Sequence, residues 1–493
     1  MSSIKVSEES DVTDVQEEPG LSQDRLVEMY RTMLKIRKYD EQSCAQYAKG
    51  LIPRHIHPYT GQEAIAVGVA AAMDRGDSVV SNHRGQAHGI VLGVEMRYMM
   101  AELMGKATGT CGGRGGPMHY AAVDQGLLGC NGIVGGGIPM AVGAALASQL
   151  KRQDDVTISI FSDGATHTGA FHEGLNLAAI WDLPVVFVCE NNQYGMGVAL
   201  SRATRVQSLA DRGAAYGMPG IRIDGNDVRA VYRATRDATR RARAGQGPTL
   251  IEAVTFRTKG HYFGDPCVYL PDEEVAQWIP KDPIARLKAD LVGGGALDEE
   301  HCAQIEQEVE DTVADAVDFA RSSPFPDTTT VFDHLFTDSG QESHVPEPGP
   351  VGGREISYRE AIREALSEEM RRDDRVFVLG EDVARFGGCF GVTQGLSAEF
   401  GEERVRDTPI AEAAIVGAAV GAAIKGLRPV AGIMDLDFAT IPMDQIANQA
   451  AKPRDMSNGE LTITMGLRVP AGAYRRKAAQ HSQSQEGGVA PIP

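Results

Sequence analysis

The stretch ISIFSDGATHTGAFHEGLNLAAIWDLPVVFVCENNQYGMG, Ile158 to Gly197, decides the fold. It reads as strand, loop, helix, strand, loop. The apolar run Thr157–Phe161 ends in Ser162-Asp163-Gly164, and Val185–Cys189 ends in Glu190-Asn191-Asn192. Between them Leu175, Ala178 and Ala179 recur at helical spacing. Strands alternating with helices predict a parallel sheet, and such sheets take ligands at the carboxyl ends of their strands. Asp163 and Asn192 fall at two such ends as hard oxygen ligands. With one backbone carbonyl they leave room on a magnesium ion for diphosphate oxygens. An Asp-Gly pair alone is an ordinary turn, so the weight rests on the whole pattern.

Composition narrows the class. A chain of 493 residues holds two or three domains, and a net charge of −19 argues against nucleic acid or an anionic membrane as partner. The seven cysteines are scattered without a Cys-x-x-Cys pair, which fits a reducing cytosol and no zinc site. The opening MSSIKVSEESDVTDVQEEPG has no apolar signal core and is expected to be a disordered acidic tail over residues 1–22. The apolar run Ala413–Ile424 spans about twelve residues against roughly twenty needed to cross a bilayer, so it reads as a buried helix. A cytoplasmic protein without a membrane span is expected.

Two passages carry a family resemblance. Asp163-Gly164, followed 29 residues after Asp163 by Asn192 in an Asn-Asn pair, resembles the thiamine diphosphate motif, with Ser162 in place of its first glycine. The wording FHEGLNLAAIWDLPVVFVCENNQYGMG resembles the alpha chain of the decarboxylating first component of 2-oxo acid dehydrogenase complexes, in the pyruvate and acetoin branch. From Glu355 onward, ISYREAIREALSEEMRRDDRVFVLGEDVARFGG and RVRDTPIAEAAIVGAAVGAAIKGLRPVAGIMDLDF resemble the start of the beta chain of the same component. The resemblance implies an alpha–beta fusion of α/β class, with two doubly wound, transketolase-like parallel-sheet domains that bind thiamine diphosphate. An alpha-like domain would cover 23–336, and a Pro/Gly/Ser/acidic linker 337–354. A pyrimidine-binding domain would cover 355–493. The second domain is truncated relative to the family, and the rest is expected from a separate polypeptide or to have been cut away.

The resemblance also assigns residues. Asp163, Asn192 and the Tyr194 carbonyl would hold Mg2+, with Gly164 and Ala165 beside the cofactor. Arg84 is the candidate diphosphate contact, since a guanidinium matches phosphate oxygens bidentately, and His83 precedes it as the family expects. Gln86 and Ala87 follow where histidine is commoner in the family. Gly132 and Val134 would meet the aminopyrimidine through backbone groups. His57 and His261 match histidines facing substrate and diphosphate. In the second half, Glu412 would hydrogen-bond the pyrimidine ring nitrogen, Phe438 would stack on that ring, and His481 matches a pocket histidine. GTCGGRGGPMHY (Gly109–Tyr120) is a glycine-rich loop but no dinucleotide fingerprint, because no strand precedes it.

These assignments imply cleavage of a small carbonyl substrate, a pyruvate-like 2-oxo acid. The acyl unit would pass to a lipoyl-bearing acyltransferase or carrier protein. His57, His261, His481 and Glu412 would be the catalytic groups and at least a dimer of fused chains the working state. A ketol transfer from a ketose phosphate is the alternative activity. A scaffold role is disfavoured by the retention of Asp163, Asn192 and Glu412 together.

Overall fold

A computed structural model describes residues 21–335, 353–472, 481–490 and 492. Nearly all of the expected tail and linker, residues 1–20 and 337–352, lies outside the described residues.

The first unit opens with α1 (Gln23–Ala48), α2 (Glu63–Ala71), β1 (Ser78–Asn82), α3 (Gln86–Val91), α4 (Met96–Leu103) and β2 (Leu127–Asn131). It continues with α5 (Gly137–Leu150), β3 (Thr157–Ser162), α6 (Gly169–Ile180), β4 (Val185–Asn191), a hairpin of β5 (Tyr194–Gly195) and β6 (Val198–Ala199), and α7 (Leu200–Ala203). After these come β7 (Gly220–Asp224), α8 (Val228–Arg243), β8 (Thr249–Val254), α9 (Asp272–Trp278), α10 (Pro283–Gly293) and α11 (Glu299–Ser322). The Ser22 hydroxyl caps α1 by accepting from Arg25 N, and Gly50 at φ +74° follows its end.

Six strands form one parallel sheet in the order β2-β1-β3-β4-β8-β7. The strand VVFVCEN of β4 is buried along its whole length, as a central strand covered on both faces must be. The chain steps from β1 outward to β2 and then returns across β1 to β3. The strand order therefore reverses between β1 and β3, and a crevice opens there at the carboxyl ends. Asn82-His83-Arg84 leave β1, and Asp163 follows β3 directly.

The second unit comprises α12 (Tyr358–Arg372), β9 (Val376–Glu381), α13 (Leu396–Phe400), β10 (Val405–Thr408), α14 (Glu412–Ile424), β11 (Arg428–Gly432), a π-helix over Gln445–Ala450, α15 (Pro453–Met456) and β12 (Gly466–Arg468). Its sheet is parallel, ordered β10-β9-β11-β12, and reverses direction at β9. The edge strand β12 is three residues long and only half-buried.

The two units share a core. Helix α14 crosses α5 so closely that a Cβ on Gly143 would lie 1.9 Å from the Ala418 carbonyl oxygen, and one on Gly421 would lie 1.8 Å from that of Met140. Glycine is required at both positions by this approach. Ala414, Ile415, Ala418 and Ala419 are fully buried there beside Ala141, Ala144 and Ala145. The run Ala413–Ile424 is thus a buried helix, and among the described residues no helix is long and apolar enough to cross a membrane.

Candidate active site

Three oxygens converge beneath the crevice. Asp163 and Asn192 are each 1% exposed. Asn192 Nδ2 donates to Gln62 Oε1 at 3.1 Å, which leaves Asn192 Oδ1 3.1 Å from the Tyr194 carbonyl oxygen and 3.3 Å from Asp163 Oδ1. In this amide orientation Asn192 Oδ1 faces two other acceptors, a repulsion that a cation among the three oxygens would relieve, and the Tyr194 carbonyl also accepts from Arg257 Nη1 at 3.4 Å. Turning the Asn192 amide over makes it donate to the Tyr194 carbonyl and Asp163 Oδ1 and accept from a turned Gln62 amide, so the same three oxygens can be closed by hydrogen bonds or opened to a cation by one amide rotation. Octahedral Mg2+, with ligands at about 2.0–2.1 Å, needs neighbouring oxygens about 3 Å apart. The donor set fits that ion. The Tyr194 carbonyl is aimed by a tight reversal: Gln193 and Met196 adopt φ +73° and +57°, and Gln193 Nε2 donates back to Asn191. Burial pushes the Asp163 carboxyl up to about 6, against the pull of Arg257 and Arg84.

Above these oxygens lies a cluster of cations and imidazoles. Arg84 is 2% exposed; its Nε donates to the Pro58 carbonyl at 3.1 Å and its Nη2 to the His261 carbonyl at 2.9 Å. Its Nη1 lies 2.6 Å from His83 Nε2. The rings of His57, His83 and His261 stand 4.9 to 5.5 Å apart. Burial followed by Arg84 pushes His57 down to about 3, and burial with Arg84 and Arg257 pushes His261 down to about 4. His83 falls well below its ordinary value for the same reasons. Three imidazoles with nitrogens within 4.8 Å have metal-ligand spacing. Here Arg84 already occupies His83 Nε2, and Arg257 Nη1 lies 3.5 Å from His261 Nδ1, so the cluster favours an anion. The cleft beside it is lined by Asn82, His83, Asn131, Ile133, Val134, Ser162 and Ala165, among others, all from the first unit. Gly132 lies beside His119, whose Nε2 a Cβ there would meet at 3.1 Å; Gly164 abuts Gly195, 3.5 Å from the Cα such a Cβ would meet.

The glycine-rich loop has a different task. Glu102, at the end of α4, accepts from the amides of Cys111 and Gly113 on Oε2 and of Gly116 on Oε1, each at 2.8 Å. The loop folds around a buried carboxylate, so those amides are not free for phosphate. Its Arg114 reaches into the second unit, donating to Asp455 Oδ1 at 2.8 Å and Asn458 Oδ1 at 3.2 Å.

The second unit carries its candidates elsewhere. Glu412, 6% exposed, starts α14, whose Ala414 amide donates to Glu173 Oε2 of α6 at 3.0 Å. Glu381, at the end of β9, is pushed up to about 7 by burial and then by Glu412. Phe438 and His481 pair at 5.1 Å between centroids. None of Glu412, Phe438 and His481 lines the cleft described above. Ile410, two residues before Glu412, is 81% exposed.

Residues 30–329 match the sequence model of the dehydrogenase E1 component. The chain belongs to that family. Residues 354–493 match the pyrimidine-binding domain of transketolase. The alpha subunit of acetoin:2,6-dichlorophenolindophenol oxidoreductase from Bacillus subtilis (strain 168) is 46% identical over 308 residues, 62% of this chain and 92% of the relative. The pyruvate dehydrogenase E1 component alpha subunit of Rhizobium meliloti (strain 1021) is 40% identical over 304 residues, 62% of this chain and 87% of that subunit. The chloroplastic pyruvate dehydrogenase E1 alpha-3 subunit of Arabidopsis thaliana is 38% identical over 318 residues, 63% of this chain and 74% of that one. E1 enzymes use thiamine diphosphate with a divalent metal such as Mg2+.

Sequence reasoning passed over several residues. Arg257 supplies a second guanidinium four residues before His261; Gln62 orients Asn192; Glu102 holds the glycine-rich loop; Glu173 caps α14. Only Arg257 carried a signal, a cation in the same loop as a candidate histidine.

Proposed function

We propose that the chain catalyses thiamine diphosphate-dependent cleavage of a small, pyruvate-like 2-oxo acid and passes the acyl unit to a lipoyl group on a partner acyltransferase. The observation that carries this reading is the convergence of three oxygen-bearing groups, Asp163, Asn192 and the Tyr194 carbonyl, beneath the Arg84–Arg257–histidine cluster. The triad would hold Mg2+ and, through it, a diphosphate. When bound, the cofactor supplies a thiazolium carbon that stabilises the carbanion left by decarboxylation.

The chain's own residues do the rest. Arg84 and Arg257 neutralise the diphosphate and the substrate carboxylate in a site of low dielectric, where ion pairing is strong. His57, His83 and His261 are held neutral, so each offers a lone pair or an N–H to the substrate oxygens and can accept a proton. Glu412 would hold a proton at the pyrimidine ring nitrogen, with Phe438 stacked beside it and His481 at the pocket edge.

Glu412 and Phe438 would come from a second copy of the chain. The first unit's cleft is lined by its own residues alone and carries exposed Ile133 and Val134, while the second unit exposes Ile410 next to Glu412. Two such half-sites on one chain complete each other across a pair of chains. The cytoplasm is the proposed compartment, in keeping with seven cysteines of which none forms a disulfide.

The test supplies thiamine diphosphate, Mg2+ and 2,6-dichlorophenolindophenol as electron acceptor, with pyruvate, acetoin or a ketose phosphate in separate assays. Dye reduction with pyruvate, abolished by Asp163→Ala together with Mg2+-dependent cofactor binding, is the expected outcome. Dye reduction with the ketose phosphate alone, or with none of the three, overturns the reading.

A further inference from the structure

Behind His57, on the side away from the crevice, the buried carboxylate of Asp40 in α1 holds the histidine's loop at several points. Asp40 Oδ2 accepts from the Tyr59 amide at 2.5 Å and the Thr60 hydroxyl at 3.3 Å. Gln86, at the start of α3, uses its Nε2 twice: it donates to Asp40 Oδ1 at 3.1 Å and to the His57 carbonyl at 2.8 Å. Gln86 thus points away from the substrate side, although its place in the sequence, two residues after Arg84, suggests a pocket residue. Asp40 and Gln86 are buried, and both border a cavity of about 10 Å³ together with Tyr39, Cys44, His57 and Tyr120. That is the room one water takes. His57 Nδ1 is buried and has no hydrogen-bond partner in the protein.

We propose that Asp40 and Gln86 are positioning residues that set both the place and the ring tautomer of His57. Gln86 fixes the His57 backbone. The Asp40 carboxyl, through one water in the cavity, holds the proton on His57 Nδ1, which leaves the Nε2 lone pair for the reacting groups. A histidine whose second nitrogen is tied in this way presents one tautomer and one orientation. The charged and titratable groups facing Asp40 are Glu63, Arg84, Cys44, Tyr39, Tyr120 and His57. Burial pushes Asp40 up to about 7 against the hydrogen bonds it accepts, with Glu63 pushing the same way. The catalytic part of this inference rests on the proposed function; the geometric part does not.

The experiment compares the full chain with Asp40→Asn and Gln86→Glu, which keep shape and change the direction of the hydrogen bonds. Ser43→Ala borders the same cavity without joining the link and serves as control, its hydroxyl bonding only the Tyr39 carbonyl. Two readouts are taken with thiamine diphosphate and Mg2+ present. Histidine C2 hydrogen–deuterium exchange, read by peptide mass across pH, should move the His57 midpoint in Asp40→Asn and Gln86→Glu but not in Ser43→Ala. Pyruvate-dependent dye reduction should lose about tenfold in kcat with a smaller change in KM. Its pH profile should shift, and Asp40→Glu should recover part of the rate. An unmoved His57 midpoint in both isosteric variants overturns the inference whatever the activity. Absent dye reduction in the unmodified chain overturns the proposed function while leaving the exchange result to decide the pairing.

Discussion

Replacing Gly421 by alanine should weaken the seam between the two units, by an amount the geometry sets. The added methyl would lie 1.8 Å from the Met140 carbonyl oxygen, 2.7 Å from its carbon and 2.9 Å from the Ala144 amide nitrogen. All three are backbone atoms of a helix, so no rotamer change relieves the overlap. Ordinary contact requires α14 to retreat from α5 by about 1.5 Å. Overpacking of this kind costs about 1–3 kcal/mol. Separation of this size also forfeits dispersion along Ala414, Ile415, Ala418 and Ala419, all fully buried on α14. Alanine returns about 1 kcal/mol in helix propensity, so overpacking alone leaves about 0–2 kcal/mol, and the forfeited dispersion brings the net loss to the upper end, about 2 kcal/mol. That lowers a thermal midpoint by about 4–8 °C in a unit of this size. Differential scanning calorimetry measures it, with Gly293→Ala as comparison. Gly293 ends α10 with no heavy atom within 4 Å of a Cβ, so alanine there should be neutral or slightly stabilising. If Gly421→Ala melts at or above the parent temperature, close glycine-mediated contact is not what joins the units.

Glu102→Gln should lower the urea midpoint by the equivalent of about 1–3 kcal/mol, because an amide cannot accept from Cys111, Gly113 and Gly116 together; an unchanged midpoint would mean the loop holds itself. Asp40, pushed up to about 7 in the fold, keeps a proton that the unfolded chain releases near the ordinary carboxyl range, about pH 4. Its contribution to stability is therefore greatest below that range and falls as pH rises to 7. Denaturant titrations of Asp40→Asn between pH 4 and 7 should show a flatter pH dependence than the parent, and an equal slope would refute the assignment. Glu412→Gln should abolish dye reduction while sparing cofactor binding; retained turnover would remove Glu412 from the mechanism.

Much of this could be read from the chain because local pattern and site chemistry coincide. Strand runs ending in Asp163 and Asn192 predict the parallel sheet, and α14 was legible as a buried helix from Ala413–Ile424. Glu102, Gln62 and Asp40 were not legible. Each is an ordinary helix or helix-entry residue by sequence. Its role depends on partners between 9 and 130 residues away, and no periodicity encodes which buried carboxylate meets which loop amides. Gln86 shows the limit from the other side: its position beside Arg84 suggests a substrate contact, while its side chain turns back to Asp40 because α1 passes behind the loop.

The contact between α5 and α14 takes on another meaning in a single polypeptide. Segments tethered by one chain meet at an effective concentration near millimolar, so their docking does not depend on how much protein is present. Equal stoichiometry of the two units is guaranteed by translation rather than by subunit balance. The proposed contact between two copies would enjoy neither advantage. Dilution would therefore separate whole chains while each kept its two units docked, making activity, rather than folding, the property that depends on concentration.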